Sequence, residues 1–254
     1  MNVMHQVKAK YKLIALDLDG TLLTDEKQIT EETKKWLQYA VDHGVKVIFS
    51  TGRGLQTTKG FWNELGLDSP MVLLNGAEVW EGPGRLKKRV FLPRDTVRDM
   101  HAIAAERGEW YWGYSVESLT GDKDWTSEMF ERDWMKFGIG SNDQQKLAEI
   151  KEELLSWGTL EVTRSALSNM EISVKGITKE SGVREVCQML GFSMSDVIAM
   201  GDSDNDAKLL KAAGLGVAMA NGEDYIKSIA DVITATNNED GVAQAIRKYV
   251  FQME

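Results

Sequence analysis

A short apolar run that ends in two acids constrains this chain more than any other stretch. Leu13, Ile14, Ala15, Leu16 and Leu18 are too few for a globular helix and read as a buried central strand of a parallel sheet. The run closes on Asp17-Leu18-Asp19-Gly20-Thr21. Two carboxylates at the end of an apolar strand are costly unless something binds them. In open α/β sheets that end of a strand is where ligands sit. An ordinary acidic turn would also contain Asp-Gly, so the reading depends on what stands at the other strand ends.

Two further ends carry matching groups. Val45-Lys46-Val47-Ile48-Phe49 reads as a strand running into Ser50-Thr51-Gly52-Arg53, and Asp196–Met200 as one running into Gly201-Asp202-Ser203-Asp204-Asn205-Asp206. Lys179 opens the helix before the latter. Met71–Leu74 is another strand, ending at Asn75-Gly76-Ala77, and Gly216–Met219 and Asp231–Ile233 are the last two. Helices fall between them. One is capped by Thr30, carries Trp36, Leu37, Ala40 and Val41 on one face, and is closed by Gly44. A second bears Phe61, Trp62 and Leu65. A third places Val183, Val186, Cys187 and Leu190 at i, i+3, i+4 and i+7, and a terminal helix runs roughly from Gly241 to Phe251. Strand and helix in alternation predict an α/β core with a doubly wound, mostly parallel, Rossmann-like sheet.

The alternation breaks at Gly82-Pro83-Gly84. From there to about Gly176 the order reads helix, strand, strand, twice over, with residues 120–141 fitting poorly. The first helix holds Val97, Met100, Ile103 and Ala104, the second Leu147, Ile150 and Leu154. This grouping predicts an inserted α+β domain over 82–176, with 1–81 and 177–254 forming the core. Glycine-rich crossings at Gly82–Gly84 and Gly176 would let the insert open and close.

At 254 residues, 43% hydrophobic and 27% charged, the composition is that of a soluble globular protein. No apolar run is long enough to cross a bilayer, and MNVMHQVKAK lacks the apolar centre of a secretory signal. The single cysteine, Cys187, suits a reducing cytosol and, on an apolar helix face, reads as core. A net charge of −9 argues against nucleic acid as a partner. It does not exclude a small anionic substrate, because a metal ion and a few placed cations set the local field. The oligomeric state is not legible.

Parallel strands bring their carboxyl ends to one edge, so these groups converge. Together they offer carboxylates for a hard cation, a hydroxyl and a lysine, a set that suits Mg²⁺. The ordered set Asp17-Leu18-Asp19-Gly20-Thr21-Leu22-Leu23, Ser50-Thr51, Lys179 and Gly201-Asp202-Ser203-Asp204-Asn205-Asp206 resembles the motifs of the haloacid dehalogenase-like hydrolase superfamily across the whole chain. The place of the insert resembles the Cof-type branch, small-molecule phosphatases with an α/β cap. The resemblance implies Asp17 as nucleophile and Asp19 as general acid/base. It implies that Thr51, Lys179, Asn205 and the amides of Leu18 and Gly52 hold the phosphate. It further implies that Asp17, Asp19 and Asp202 hold Mg²⁺, with Asp206 in support. The lysine is often followed by Gly in that branch; here Glu180 follows it, and Lys175, which precedes Gly176, is a rival. Lys179 is preferred because it begins a helix and sits in Ile-Thr-Lys.

The activity so implied is Mg²⁺-dependent hydrolysis of small cytosolic phosphate monoesters, such as sugar phosphates or flavin- and pyridoxal-pathway phosphates, through an aspartyl-phosphate. Two alternatives stay open: a phosphotransferase or mutase, and a phospho-accepting or ligand-sensing regulatory domain. Asp19 argues against the second, since a switch has no leaving alkoxide to protonate. Residues 202–206 also fit the start of a calcium loop, but Ala207 and Ala213 stand where Gly and Glu are required. His5, His43 and His101 lie apart from every motif and read as surface residues. Arg53 fits either substrate contact or a salt bridge. Trp110, Trp112 and Tyr114 share a strand face, and the usual burial of aromatics favours packing against the insert's helices. Alternatively that face looks at the site and stacks on a ringed leaving group, with Arg132 and Arg164 adding polar contacts.

Overall fold

The computed structural model describes residues 9–253; His5 lies outside them. The chain opens with β1 (Leu13–Leu16), α1 (Glu31–Asp42), β2 (Lys46–Phe49), α2 (Leu55–Glu64) and β3 (Met71–Leu73). A hairpin of β4 (Glu78–Gly82) and β5 (Arg85–Arg89) follows. Next come α3 (Arg94–Glu106), β6 (Trp110–Ser115), β7 (Leu119–Gly121), β8 (Trp134–Gly140), α4 (Gln144–Ser156), β9 (Leu160–Thr163) and β10 (Asn169–Val174). The last section is α5 (Lys179–Leu190), β11 (Val197–Gly201), α6 (Ala207–Ala212), β12 (Leu215–Ala218), α7 (Asp224–Ile229), β13 (Val232–Ile233) and α8 (Gly241–Ala245).

The first sheet has the order β13-β12-β11-β1-β2, every pair parallel. Period-two alternation divides its side chains between two cores. Ile14, Leu16, Val47, Phe49, Ile198 and Met200 pack with Leu37 of α1, Trp62 of α2 and Val242 of α8. Leu13, Ala15, Ile48, Val197 and Ala199 pack with Val183 and Val186 of α5, Leu209 of α6 and Ile226 of α7. The sheet is therefore wound on both faces. Its switch point is β1, where the chain leaves for β2 on one side and later returns to β11 on the other. That position sets the acids after β1 in the crevice where ligands of open sheets bind. Thr30 caps α1 by accepting from the Thr33 amide. Val41, expected on the apolar face of that helix, is 40% exposed, because Leu37 and Ala40 already fill the contact.

Two expectations need correcting. The break at Gly82-Pro83-Gly84 is the turn of the β4–β5 hairpin, which stays on the first body and packs β4 against α5. The chain enters the second sheet only after Arg89. Residues 120–141, which fitted no pattern, contain β8, the central strand of that sheet, whose order is β7-β6-β8-β10-β9 and whose pairs are antiparallel. All seven residues of β8 are buried. Phe137 and Ile139 do alternate with Lys136, Gly138 and Gly140, but two glycines in so short a run weaken it as a strand signal.

The two faces of this second sheet differ. Phe137, Ile139, Met170 and Ile172 pack under Val97, Met100 and Ala104 of α3 and Leu147, Ile150 and Leu154 of α4. On the opposite face Trp110 lies across from Gly140, Trp112 from Gly138 and Tyr114 from Lys136. A Cβ on Gly138 or Gly140 would run into the indole opposite, so these glycines let the rings lie flat on the sheet. The helix-packing reading of Trp110, Trp112 and Tyr114 is thus overturned. It is Tyr111, on the other face, that packs with the α3-side cluster of His101, Trp125 and Phe137.

Candidate active site

The flat aromatic face sits over the carboxyl edge of the first sheet, and the two enclose a cavity of about 320 Å³. From below it is lined by Asp17, Asp19, Thr51, Gly52, Arg53 and Asn205; from above by Trp112, Tyr114, Lys136, Asn169 and Glu171. The sheets are tied across the gap by Arg164 to Glu223, Lys208 to Glu161, the Asn205 amide to the Arg164 carbonyl (3.2 Å) and Gln56 Nε2 to the Ser115 carbonyl (3.2 Å). Arg164 is therefore engaged with the lower body, and Arg132 donates to Ser118 Oγ. Neither lines the cavity.

Asp17 is 5% exposed at the end of β1. Lys179, fully buried at the first position of α5, bridges Asp17 Oδ1 (2.9 Å) and Asp206 Oδ1 (2.7 Å). Its rival, Lys175, is spent on the Gly158 carbonyl. Asp206 Oδ2 accepts from the amides of Asp202 (3.1 Å) and Ser203 (3.2 Å), so Asp206 shapes the loop after β11 while holding the lysine. Asp202 accepts from Thr21 Oγ1 at 2.9 Å. Ligand oxygens of Asp17, Asp202 and Asp206 lie within 4.8 Å of one another.

Burial opposes Lys179's charge, but the two carboxylates outweigh it and hold the ammonium's pKa up. Three acids against one ammonium leave a surplus of negative charge. Burial first, then mutual repulsion, pushes Asp17 up to about 7 and Asp202 up to about 8. Such a pair is what a divalent cation relieves. The donor set fits one: Asp206 is saturated by Lys179 and two amides, whereas Asp17 and Asp202 keep lone pairs free for a hard ion. Gly20, with φ +73°, keeps the space beside them open, since a Cβ there would lie 2.5 Å from Asp202 Oδ2.

Of the expected set of Asp17, Asp19 and Asp202, the first and last come together, and the Asp19 carboxylate does not join them. Asp19 turns away from the cluster onto Arg53, whose Nε and a terminal nitrogen donate at 2.6 and 2.7 Å, and onto Lys27 Nζ at 2.8 Å. Burial opposes ionisation here, but the two cations outweigh it and hold the carboxyl at about 2. The physical reason is a nearer countercharge: the guanidinium fork matches a carboxylate in two hydrogen bonds at once. Arg53 is thereby placed as a salt-bridge partner, with its guanidinium over the Phe61 ring.

Thr51 and Gly52 line the cavity with Asp17, and Leu18 is fully buried next to Asp17 in the chain. Ser50 is buried outside the cavity. Asn205 points in, its amide held by Asn75 Oδ1 (3.4 Å) and its carbonyl by Ser203 Oγ (3.1 Å). Sequence reasoning missed Lys136, Glu171 and Asn75. Lys136 Nζ donates to the Gly52 carbonyl and to Glu171 Oε1 (2.7 Å), and Asn75 Nδ2 donates to Glu171 Oε2 (2.7 Å). The available signal was one lysine inside an apolar stretch, Trp134–Ile139, since a buried charge calls for a partner. Among the described residues no helix is long and apolar enough to cross a membrane.

Comparison with known proteins agrees with this geometry. The family pattern described as haloacid dehalogenase-like hydrolase matches residues 14–246. The chain is 42% identical over 243 residues to the 5-amino-6-(5-phospho-D-ribitylamino)uracil phosphatase YcsE of Bacillus subtilis (strain 168), covering 94% of this chain and 96% of that protein. It is 33% identical to a second 5-amino-6-(5-phospho-D-ribitylamino)uracil phosphatase of the same organism, YitU, covering 96% of this chain and 99% of that protein. A solved haloacid dehalogenase-like hydrolase from B. subtilis superposes with a TM-score of 0.86 at 26% identity, covering 92% of this chain and 98% of that one.

Proposed function

The chain belongs to the haloacid dehalogenase-like hydrolases and is a phosphatase of small molecules, and we propose that it is a Mg²⁺-dependent phosphomonoesterase of the cytosol acting through a phosphoryl group on Asp17. The observation that carries this reading is Asp17 and Asp202 at adjacent parallel strand ends, with the buried Lys179 of α5 paired to Asp17 and Asp17 open to the cavity. Asp17 and Asp202 would hold the ion. When bound, Mg²⁺ supplies positive charge that lowers the repulsion between a carboxylate nucleophile and a phosphate dianion.

The chain's own residues then divide the work. Lys179 favours the ionised form of Asp17 against its burial and orients one of its oxygens. Thr51 Oγ1 and the Gly52 amide, with Asn205 opposite, receive the phosphate oxygens. Asp17 attacks phosphorus, the ester P–O bond breaks, and the leaving alkoxide takes a proton from Asp19. Water then attacks the phosphoryl group, its proton passes to Asp19, and the bond to Asp17 breaks to release inorganic phosphate. Asp19, ionised on Arg53 and Lys27, suits the second step as it stands. Serving the first step requires it to leave Arg53 and carry a proton. General acid–base help of this kind is worth roughly 10²–10⁴-fold.

Trp112 and Tyr114 in the roof support a leaving group that carries a ring. The two relatives named for a ribitylaminouracil phosphate support the same class, a polyol phosphate bearing a heteroaromatic ring, over plain sugar phosphates. We place the cap at about residues 90–176 and the catalytic core on either side. A panel of ribitylaminouracil, flavin, pyridoxal and sugar phosphates, assayed for phosphate release with Mg²⁺ and with chelator, tests the reading. Turnover unaffected by chelator, or equal on esters with and without rings, overturns the corresponding part. Product analysis in labelled water separates hydrolysis from transfer.

A further inference from the structure

The phosphate-binding loop Thr51-Gly52-Arg53 has three backbone carbonyls, and each is held. The Thr51 carbonyl accepts from the Asn75 amide and the Arg53 carbonyl from the Leu74 amide, both at 3.0 Å. These two donors come from the core, in a turn where Leu74 and Asn75 take left-handed φ values of 52° and 55°. Strain of this sort persists only where the surroundings enforce it. The middle carbonyl, of Gly52, is held by Lys136 Nζ, which comes from the other sheet. The N–H of the same peptide, on Arg53, donates to Thr51 Oγ1 at 3.2 Å. The peptide that orients the Thr51 hydroxyl is therefore fixed on one side by a cap lysine.

Lys136 is itself held. Its side chain and that of Glu171 are 2% and 7% exposed and pair at 2.7 Å, and Tyr114's ring lies 5.3 Å from the ammonium. The other Glu171 oxygen accepts from Asn75 Nδ2. Asn75 thus braces the loop through its amide and receives the cap through its side chain. It also touches Asn205, on the loop that carries Asp202. A buried ion pair whose only task was to hold β8 to β10 could be replaced by an apolar pair at little loss, and it would have no use for a carbonyl of the core.

We propose that Lys136 is a positioning residue for phosphate binding: the cap delivers its ammonium to the Gly52 carbonyl, so the Thr51–Arg53 loop takes its working geometry only with the cap seated. The link to phosphate rests on the phosphatase reading; the coupling of cap to loop does not. The test is the double variant Lys136→Met with Glu171→Gln, which keeps volume and the Asn75 contact and leaves no unpaired buried charge. Amide hydrogen exchange over Thr51–Gly54 is expected to quicken about tenfold or more, the size of losing one hydrogen bond to a charged group, while β8 and β10 keep their protection. Binding of inorganic phosphate should weaken by about the same factor. Glu171→Gln alone, which keeps the ammonium on Gly52, should show a smaller change in both and serves if the double variant is poorly folded. Unchanged loop exchange and phosphate binding in a folded double variant overturns the proposal, as does exchange that quickens equally throughout the second sheet. Faster loop exchange in a protein that, in its unaltered form, neither binds phosphate nor hydrolyses esters upholds the coupling and removes the phosphatase reading instead.

Discussion

The two sheets meet one cavity in opposite ways. The core presents strand ends: carboxylates, amides and a lysine gathered where parallel strands stop. The second sheet presents a face: Trp112, Tyr114, Lys136 and Glu171 drawn from three neighbouring strands. Strand ends concentrate backbone donors and charge, which suits phosphoryl chemistry. A pleated face spaces large side chains at intervals set by strand register, which suits recognition of whatever the phosphate is attached to. The difference divides the proposed chemistry and the proposed choice of substrate between separable sets of residues, joined by the Lys136–Gly52 contact.

If that division is real, Asp17→Asn should abolish phosphate release by roughly 10⁴-fold or more, as for loss of a covalent nucleophile, while Tm and the binding of ring-bearing ligands to the cap stay near wild type. An Asp17→Asn protein that keeps its turnover would remove the core from the chemistry altogether. Next in size is Glu171→Ala, which strands Lys136 as an unpaired buried cation and should cost about 3–5 kcal/mol in denaturant unfolding. A loss under 1 kcal/mol would mean that water reaches the pair and the sheets are not closed there.

The third prediction concerns pH. Asp17 and Asp202 have folded values of about 7 and about 8, above their ordinary carboxyl range. The stability they contribute is present in full below the unfolded value and is lost as pH rises through 7 to 8. Mg²⁺ needs both ionised, so its stabilising effect should grow over the same window, reaching about 2.7 kcal/mol at a hundredfold excess over its Kd. Thermal unfolding at pH 5 and pH 8 with and without Mg²⁺ checks this. An equal shift at both pH values, or one that persists in Asp202→Asn, counts against the pair as the ion's site. The smallest effect belongs to the cap. Trp112→Ala should lower kcat/KM about tenfold for ring-bearing esters, within the range for an aromatic contact, and leave ringless esters within twofold. Equal losses on both would return the indole to a packing role.

How much of this was legible depends on whether the signal was local. The acids after β1, the Thr51-Gly52 turn and the Asp202–Asp206 loop could be read from the chain, because each motif spans a few residues and each follows an apolar strand. Their convergence followed from the rule that parallel strands share an edge. The side to which Asp19 turns was not legible, because Arg53 competes for it from 34 positions away. Nor was β8: its two glycines and lysine make sense only beside the indoles and carboxylate that neighbouring strands bring.

From its amino acids alone this protein was bound to have a wound parallel core with acids, a hydroxyl and a lysine gathered at its carboxyl edge, since apolar periodicity and strand-end chemistry act over short stretches. Three-dimensional packing decided which acids cluster together, which face of the aromatic strand lines the cavity and which lysine crosses between the sheets. Those outcomes turn on hydrogen bonds and charges a few ångströms apart in space but far apart in the chain, by 181 residues between Thr21 and Asp202, and no local pattern encodes such distances.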